Sequence, residues 1–197
     1  MGLALSDTLN RMARVQNLLK LGGAFHEGAL DVEVGLETRS PTQPRLVALE
    51  AVPVPTLVPE DEVHVVVRNL EAFPMDLNVL YVGSDYSISH IFADRLVPRD
   101  RRKQGLVGIT DTAFGRDRLI LILTPAAPHS ALEDLSFLAQ DALPATRGIR
   151  GGAGFADALA EAGFGTTMRA ATALGGTKKG TGDPVMLMYD IDTRPAN

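Results

Sequence analysis

Residues 77–92, Leu77-Asn-Val-Leu-Tyr-Val-Gly-Ser-Asp-Tyr-Ser-Ile-Ser-His-Ile-Phe92, set two strand-like runs on either side of Gly83-Ser84-Asp85-Tyr86. β-Branched and aromatic residues suit a pleated surface, whereas Gly, Ser and Asp favour turns, so the stretch predicts an antiparallel hairpin. Ile88 alternates with Ser87 and Ser89, which gives the second arm one apolar and one wet face. Upstream, residues 62–70, Glu-Val-His-Val-Val-Val-Arg-Asn-Leu, predict another strand, expected to neighbour 77–82 across a turn containing Pro74. Val63, Val65 and Val67 share one parity, so His64 belongs to the wetter face. Downstream, Arg118-Leu-Ile-Leu-Ile-Leu-Thr124 is an apolar run bounded by Asp117 and Pro125, the pattern of a strand buried on both faces.

Further from this centre, Leu30, Val32, Val34 and Leu36 alternate with Asp31, Glu33 and Gly35, predicting a first strand. Pro41, Pro44, Pro53, Pro55 and Pro59 confine 40–59 to an extended, edge-type connection. A short strand is expected at 105–110, and residues 185–192 predict a last strand that rejoins the sheet. At the start, Ser6 and Asp7 offer helix caps ahead of Leu9, Met12, Val15, Leu18 and Leu19, with Gly22-Gly23 as the stop. The apolar stripe of this helix needs a partner surface, either the rest of the chain or another polypeptide. A second short helix is expected from Ser130 or Glu133-Asp134, carrying Leu135, Phe137, Leu138 and Leu143 to Pro144. Ten of the nineteen glycines fall in 148–182, which implies a flexible excursion with helical character only at 155–162. The expected architecture is mainly β within an α+β class: an antiparallel β-sandwich of seven or eight strands over 24–197. A connector helix at 1–23 and one or two further short helices complete it.

Composition narrows the chemistry. The 197 residues carry a net charge of −5, with 45% hydrophobic and 22% charged residues. That balance fits one globular core and argues against general attraction to nucleic acid or anionic membrane. Without cysteine there is no disulfide, thiolate ligand or cysteine nucleophile in these residues, and a cytoplasmic setting is expected. The four histidines, His26, His64, His90 and His129, follow no metal-binding spacing, so neither metal nor cofactor is expected. Gly148-Ile-Arg-Gly-Gly-Ala-Gly154 lacks the spacing of a phosphate loop and reads as a hinge or exposed loop. Ser84, Ser87 and Ser89 beside His90 and Asp85 raise a hydrolase as an alternative, although no G-x-S-x-G elbow is present. A free-standing peptide- or carbohydrate-binding sandwich is the other alternative, with the absence of Trp weighing against sugar stacking. One concentration of positive charge stands out on this acidic chain: Arg95, Arg99, Arg101, Arg102 and Lys103, expected as a polar loop able to meet an acidic partner. With Asp85 and Tyr86 at the hairpin tip, these are the candidate partner-binding residues.

The run Val67-Arg-Asn-Leu-Glu-Ala-Phe-Pro-Met-Asp-Leu-Asn-Val-Leu-Tyr-Val-Gly-Ser-Asp-Tyr-Ser-Ile-Ser-His-Ile-Phe92 resembles the β-rich domain of unknown function that follows the peptidase domain in bacterial caspase-like proteins. Asp134-Leu-Ser-Phe-Leu-Ala-Gln-Asp-Ala-Leu-Pro-Ala-Thr-Arg-Gly148 is similar to that family's second signature, and with the strand 118–124 the resemblance spans residues 60–150. It implies a non-catalytic accessory module, because the catalytic His and Cys of such proteins lie in the peptidase domain. The implied partner is a protein, the caspase-like peptidase domain or its substrate, in regulated cell death or defence.

Overall fold

The structure, a computed structural model, describes residues 2–22, 25, 30–49, 54–112, 114–142 and 183–196. The alternation of Leu36 with polar neighbours gives β1 (Val32–Arg39), which pairs antiparallel with β4 (Glu62–Asn69) over its whole length. The prolines of 40–59 leave room for two strands of two residues each, β2 (Val47–Ala48) and β3 (Thr56–Leu57). Then come β5 (Met75–Val82), β6 (Ile88–Leu96), β7 (Arg101–Gly108), β8 (Gly115–Pro125) and β9 (Val185–Thr193). They build a four-stranded sheet, β2-β1-β4-β7, and a five-stranded sheet, β3-β9-β8-β5-β6. All pairings are antiparallel except β3 with β9. The expected β-sandwich is thus present, with nine strands among the described residues instead of seven or eight.

Strand parity sorts the apolar residues into two cores. Val63, Val65 and Val67 of β4 face Met75, Leu77 and Val79 of β5 and Leu119, Leu121 and Leu123 of β8 between the sheets, all fully buried. The intervening residues of β5 and β8, Leu80, Val82, Ile120 and Ile122, enter a second core on the opposite face. The five-stranded sheet is therefore sandwiched itself, as the unbroken run 118–124 predicts. Its second face is covered by Val15, Leu18 and Leu21 of α1 (Gly2–Gly22) and by Leu135 and Leu138. The helix stripe accordingly finds its partner within this chain.

Three expectations need correction. First, 62–70 and 77–82 are not neighbouring strands, because β4 and β5 lie in different sheets. Asn69 fixes the crossing between them: fully buried, it holds its Nδ2 3.0 Å from the Phe73 carbonyl and 3.1 Å from those of Leu96 and Val97, while Oδ1 accepts from the Glu71 amide at 2.8 Å. Second, Ser6 and Asp7 do not cap α1, which begins at Gly2; Asp7 instead pairs with Arg11 one turn on at 3.0 Å. Third, the expected helix after residue 130 is reduced to a single 3-10 turn, Ser136–Leu138. Side chains of the sheet capture the backbone groups a helix would use: Asp76 accepts from the Glu133 amide at 2.9 Å, and Asn78 accepts from Leu135 and donates to the Glu133 carbonyl. The glycine-rich stretch 148–182 and its helical portion lie outside the described residues. No described helix is long and apolar enough to cross a membrane.

Candidate functional site

The β5–β6 turn closes through the Gly83 amide donating to the Ser87 carbonyl at 3.0 Å, and Asp85 Oδ1 accepts from the Ser87 amide at 3.0 Å. Tyr86 takes a left-handed φ of 64° and packs on the second core, so of the two expected tip residues Asp85 alone is exposed. Beneath the tip lies a cleft of about 220 Å³ whose lining includes the hydroxyl-bearing residues Tyr81, Ser84, Ser87, Ser89, Thr110, Thr112 and Thr193. Its buried carboxylate, Asp117, is fully committed: it accepts from the Tyr81 phenol at 2.7 Å, the Ser84 amide at 2.7 Å and the Thr193 hydroxyl at 2.9 Å. A side chain at Gly115 (φ 148°) would strike Ser84, so glycine is required where β8 passes the turn.

This cluster ties the hairpin to the last strand and has a spectroscopic signature. Burial, reinforced by the Asp117 carboxylate, pushes the Tyr81 phenol far above the ordinary tyrosine range. Below about pH 10 folded and unfolded chains both keep this proton; above it the unfolded chain loses it while the folded chain does not, so this part of the stability fades as pH rises. Tyr81 is therefore expected to stay silent in an alkaline absorbance titration until the protein unfolds. The Tyr81→Phe variant should lack that late step; an unchanged curve would show that the phenol is not held.

The Ser/His pairing is not assembled by the hairpin. Ser89 sits opposite Tyr81 and His90 opposite Leu80, and these successive residues point to opposite faces. His90 Nε2 is 3.0 Å from Asn78 Oδ1 and 3.8 Å from Asp134, on the face that carries the second core. Ser89 lines the hydroxyl cleft on the other side.

The basic stretch is not a loop. Arg95 belongs to β6, Arg101, Arg102 and Lys103 belong to β7, and Arg99 alone lies in the connecting turn. Three of the five cations are neutralised. Arg95 grips the buried Asp76 through Nε at 2.7 Å and Nη2 at 2.8 Å; Arg102 meets Asp94 at 2.9 Å, bridging the two sheets; Lys103 pairs with Glu37. Arg99 and Arg101 are exposed, and no carboxylate of the described residues lies within ion-pair distance of either. The expected site also splits, because the nine residues of β6 put about 30 Å between the Asp85–Tyr86 tip and the Arg99 turn.

What joins Arg99 and Arg101 is a third arginine that sequence reasoning did not select. Arg68 on β4 stands directly opposite Arg101 on β7, both on the outer face of the four-stranded sheet, and Glu33 on β1 completes the row. Arg68 Nη1 reaches Glu33 at 3.3 Å. Arg68, Arg99 and Arg101 line one open cleft of about 650 Å³ with Glu33, Val34, Gly35 and Val66. Nothing stands within 4 Å of where a Gly35 side chain would be, which leaves the floor of the cleft clear. Parity alone could have placed Arg68 on this face, but its register against Arg101 rests on a long-range pairing.

Comparison with protein-family models, with curated proteins and with solved structures finds no match to this chain.

Proposed function

We propose that the chain is a non-catalytic recognition module that binds an acidic segment of a protein partner on the outer face of its four-stranded sheet. The observation that carries this reading is the excess of cation there: Arg99 and Arg101 have no carboxylate partner among the described residues, on a chain whose net charge is −5. Exposed arginines without counter-charges steer acidic partners and set register at an interface. The other face of each sheet is spent on the inter-sheet core, and α1 covers the back of the five-stranded sheet. A partner in contact with a sheet face therefore meets the charged one. The sequence resemblance points to a caspase-like peptidase domain, or its substrate, as that partner.

The test is capture from lysate of the native host by the tagged full chain, compared between wild type and the double variant Arg99→Glu/Arg101→Glu at low and moderate salt. Both residues are exposed, so the variant should keep the wild-type circular dichroism. The expected result is a polypeptide retained by the wild type, released progressively by salt and lost from the variant. Equal retention by both proteins at low salt would remove the cationic face from the binding surface.

A further inference from the structure

Two guanidinium groups directly opposite each other on one face of a sheet repel, and such like-charged pairs weaken a strand pairing. Arg68 and Arg101 are so placed. The row offers a single counter-charge, Glu33, held by Arg68 in one contact at 3.3 Å. Arg99 then brings a third guanidinium to the same cleft from a turn in which its own backbone adopts a left-handed φ of 64°, a conformation uncommon for a residue with a side chain. The neighbouring cations Arg102 and Lys103 are each matched by carboxylates, so the imbalance is local to this trio and not a property of the whole strand.

Counting the charged side chains that line the cleft, Arg68, Arg99, Arg101 and Glu33, leaves an excess of two positive charges there, with Asp100 in the adjoining turn accepting from the Arg101 amide at 2.8 Å and lying 3.7 Å from Arg102. From this we infer that the cleft binds a doubly charged tetrahedral oxyanion, a phosphoryl group, clamped by Arg68, Arg99 and Arg101. A phosphate monoester carries about two negative charges near neutral pH, and the planar guanidinium donates paired N–H groups that match its oxygens. A single carboxylate would balance half of the excess. The clear floor at Gly35 and the apolar Val66 beside it leave room for the chain that bears the phosphoryl group. The inference deepens the recognition reading by naming what the acidic segment presents: a phosphorylated side chain of a protein partner.

The experiment follows thermal stability and calorimetric binding of the full chain at constant ionic strength, with inorganic phosphate and with a phosphoserine peptide, its serine and glutamate counterparts serving as controls. The expected result is saturable stabilisation by both phosphoryl probes, the phosphopeptide binding at least about tenfold more tightly than its serine and glutamate counterparts. Arg101→Ala and Arg68→Ala, both on the exposed face and expected to fold, should each weaken phosphopeptide binding by about tenfold or more. Arg101→Lys, which keeps the charge but not the fork, should recover it only in part.

No saturable effect of either phosphoryl probe would overturn the inference. Equal binding by wild type and Arg101→Ala would do the same, as would a glutamate peptide binding as well as the phosphopeptide. Inorganic phosphate binding without the phosphopeptide would place the site with free phosphate and overturn the protein-borne source. If these tests fail while partner capture still depends on Arg99 and Arg101, the recognition reading stands and the phosphoryl clamp alone falls. If capture is indifferent to both residues, that reading fails whatever the phosphate data show.

Discussion

Asp76→Ala is expected to lower stability by about 3–5 kcal/mol, the cost of breaking a largely buried ion pair from one side. Asp76 is 2% exposed, and its two oxygens receive Arg95 Nε at 2.7 Å, Arg95 Nη2 at 2.8 Å and the Glu133 amide at 2.9 Å. Truncation leaves a partly exposed guanidinium, 23% accessible, without its buried carboxylate and also releases the backbone of Glu133. Arg95 holds the same segment from the other side, donating to the carbonyls of Ser130 at 2.6 Å and Ala131 at 2.9 Å. The loss should therefore be local as well as global. Amide exchange over 130–135 should accelerate in the variant more than in β8, while denaturant unfolding reads the total. Because the two residues act as one unit, Asp76→Ala/Arg95→Ala should be less destabilised than the sum of the single variants. A cost under about 1 kcal/mol for Asp76→Ala would mean that the pair is a surface contact and not the anchor of the segment.

The second large effect is expected at the centre of the sandwich. Leu121 is fully buried in β8, with Val79 of β5 on one side in register and Leu187 of β9 on the other. Leu121→Ala should cost about 2–5 kcal/mol through lost transfer free energy and the cavity left behind. Relaxation there is limited, because β8 is hydrogen-bonded on both edges and packed on both faces. Denaturant unfolding should show a lower midpoint with an unchanged slope; a change confined to the slope would point to an altered unfolded state instead.

The features that could be read from the residues were those set by neighbours in sequence. The hairpin 77–92 is encoded by a turn and two flanking runs, and the burial of both faces of β8 by five consecutive aliphatic residues. His64 was placed outward by the parity of Val63, Val65 and Val67. What escaped reading depended on residues far apart along the chain. A valine-rich strand before a proline turn looks the same whether the next strand pairs beside it or crosses to another sheet, and here the buried Asn69 decides for the crossing. The expected helix after 130 lost to Asp76 and Asn78, more than fifty residues upstream, which claim its backbone amides. Arg95 to Lys103 read as one basic loop because Asp76, Asp94 and Glu37, which neutralise three of its cations, are brought up by pairing and packing. By the same token Arg68 joined the candidate site only through its register with Arg101.

The arrangement of the strand edges bears on how copies of this molecule meet. A sheet grows from chain to chain wherever a long row of unpaired amides and carbonyls lies open. Here one flank ends in β2 and β3, two residues each, kept short by the proline-rich connection. On the other flank β7 carries Arg101, Arg102 and Lys103, while the outer edge of β6 is partly occupied where Ile88 exchanges backbone hydrogen bonds with Gln140. β2 and β3 cover only two positions each of β1 and β9, so among the described residues most of those two edges has no strand partner. The cations of β7 therefore weigh against edge-to-edge joining on that flank, and any sheet-to-sheet contact between copies is directed to the flank of β1 and β9.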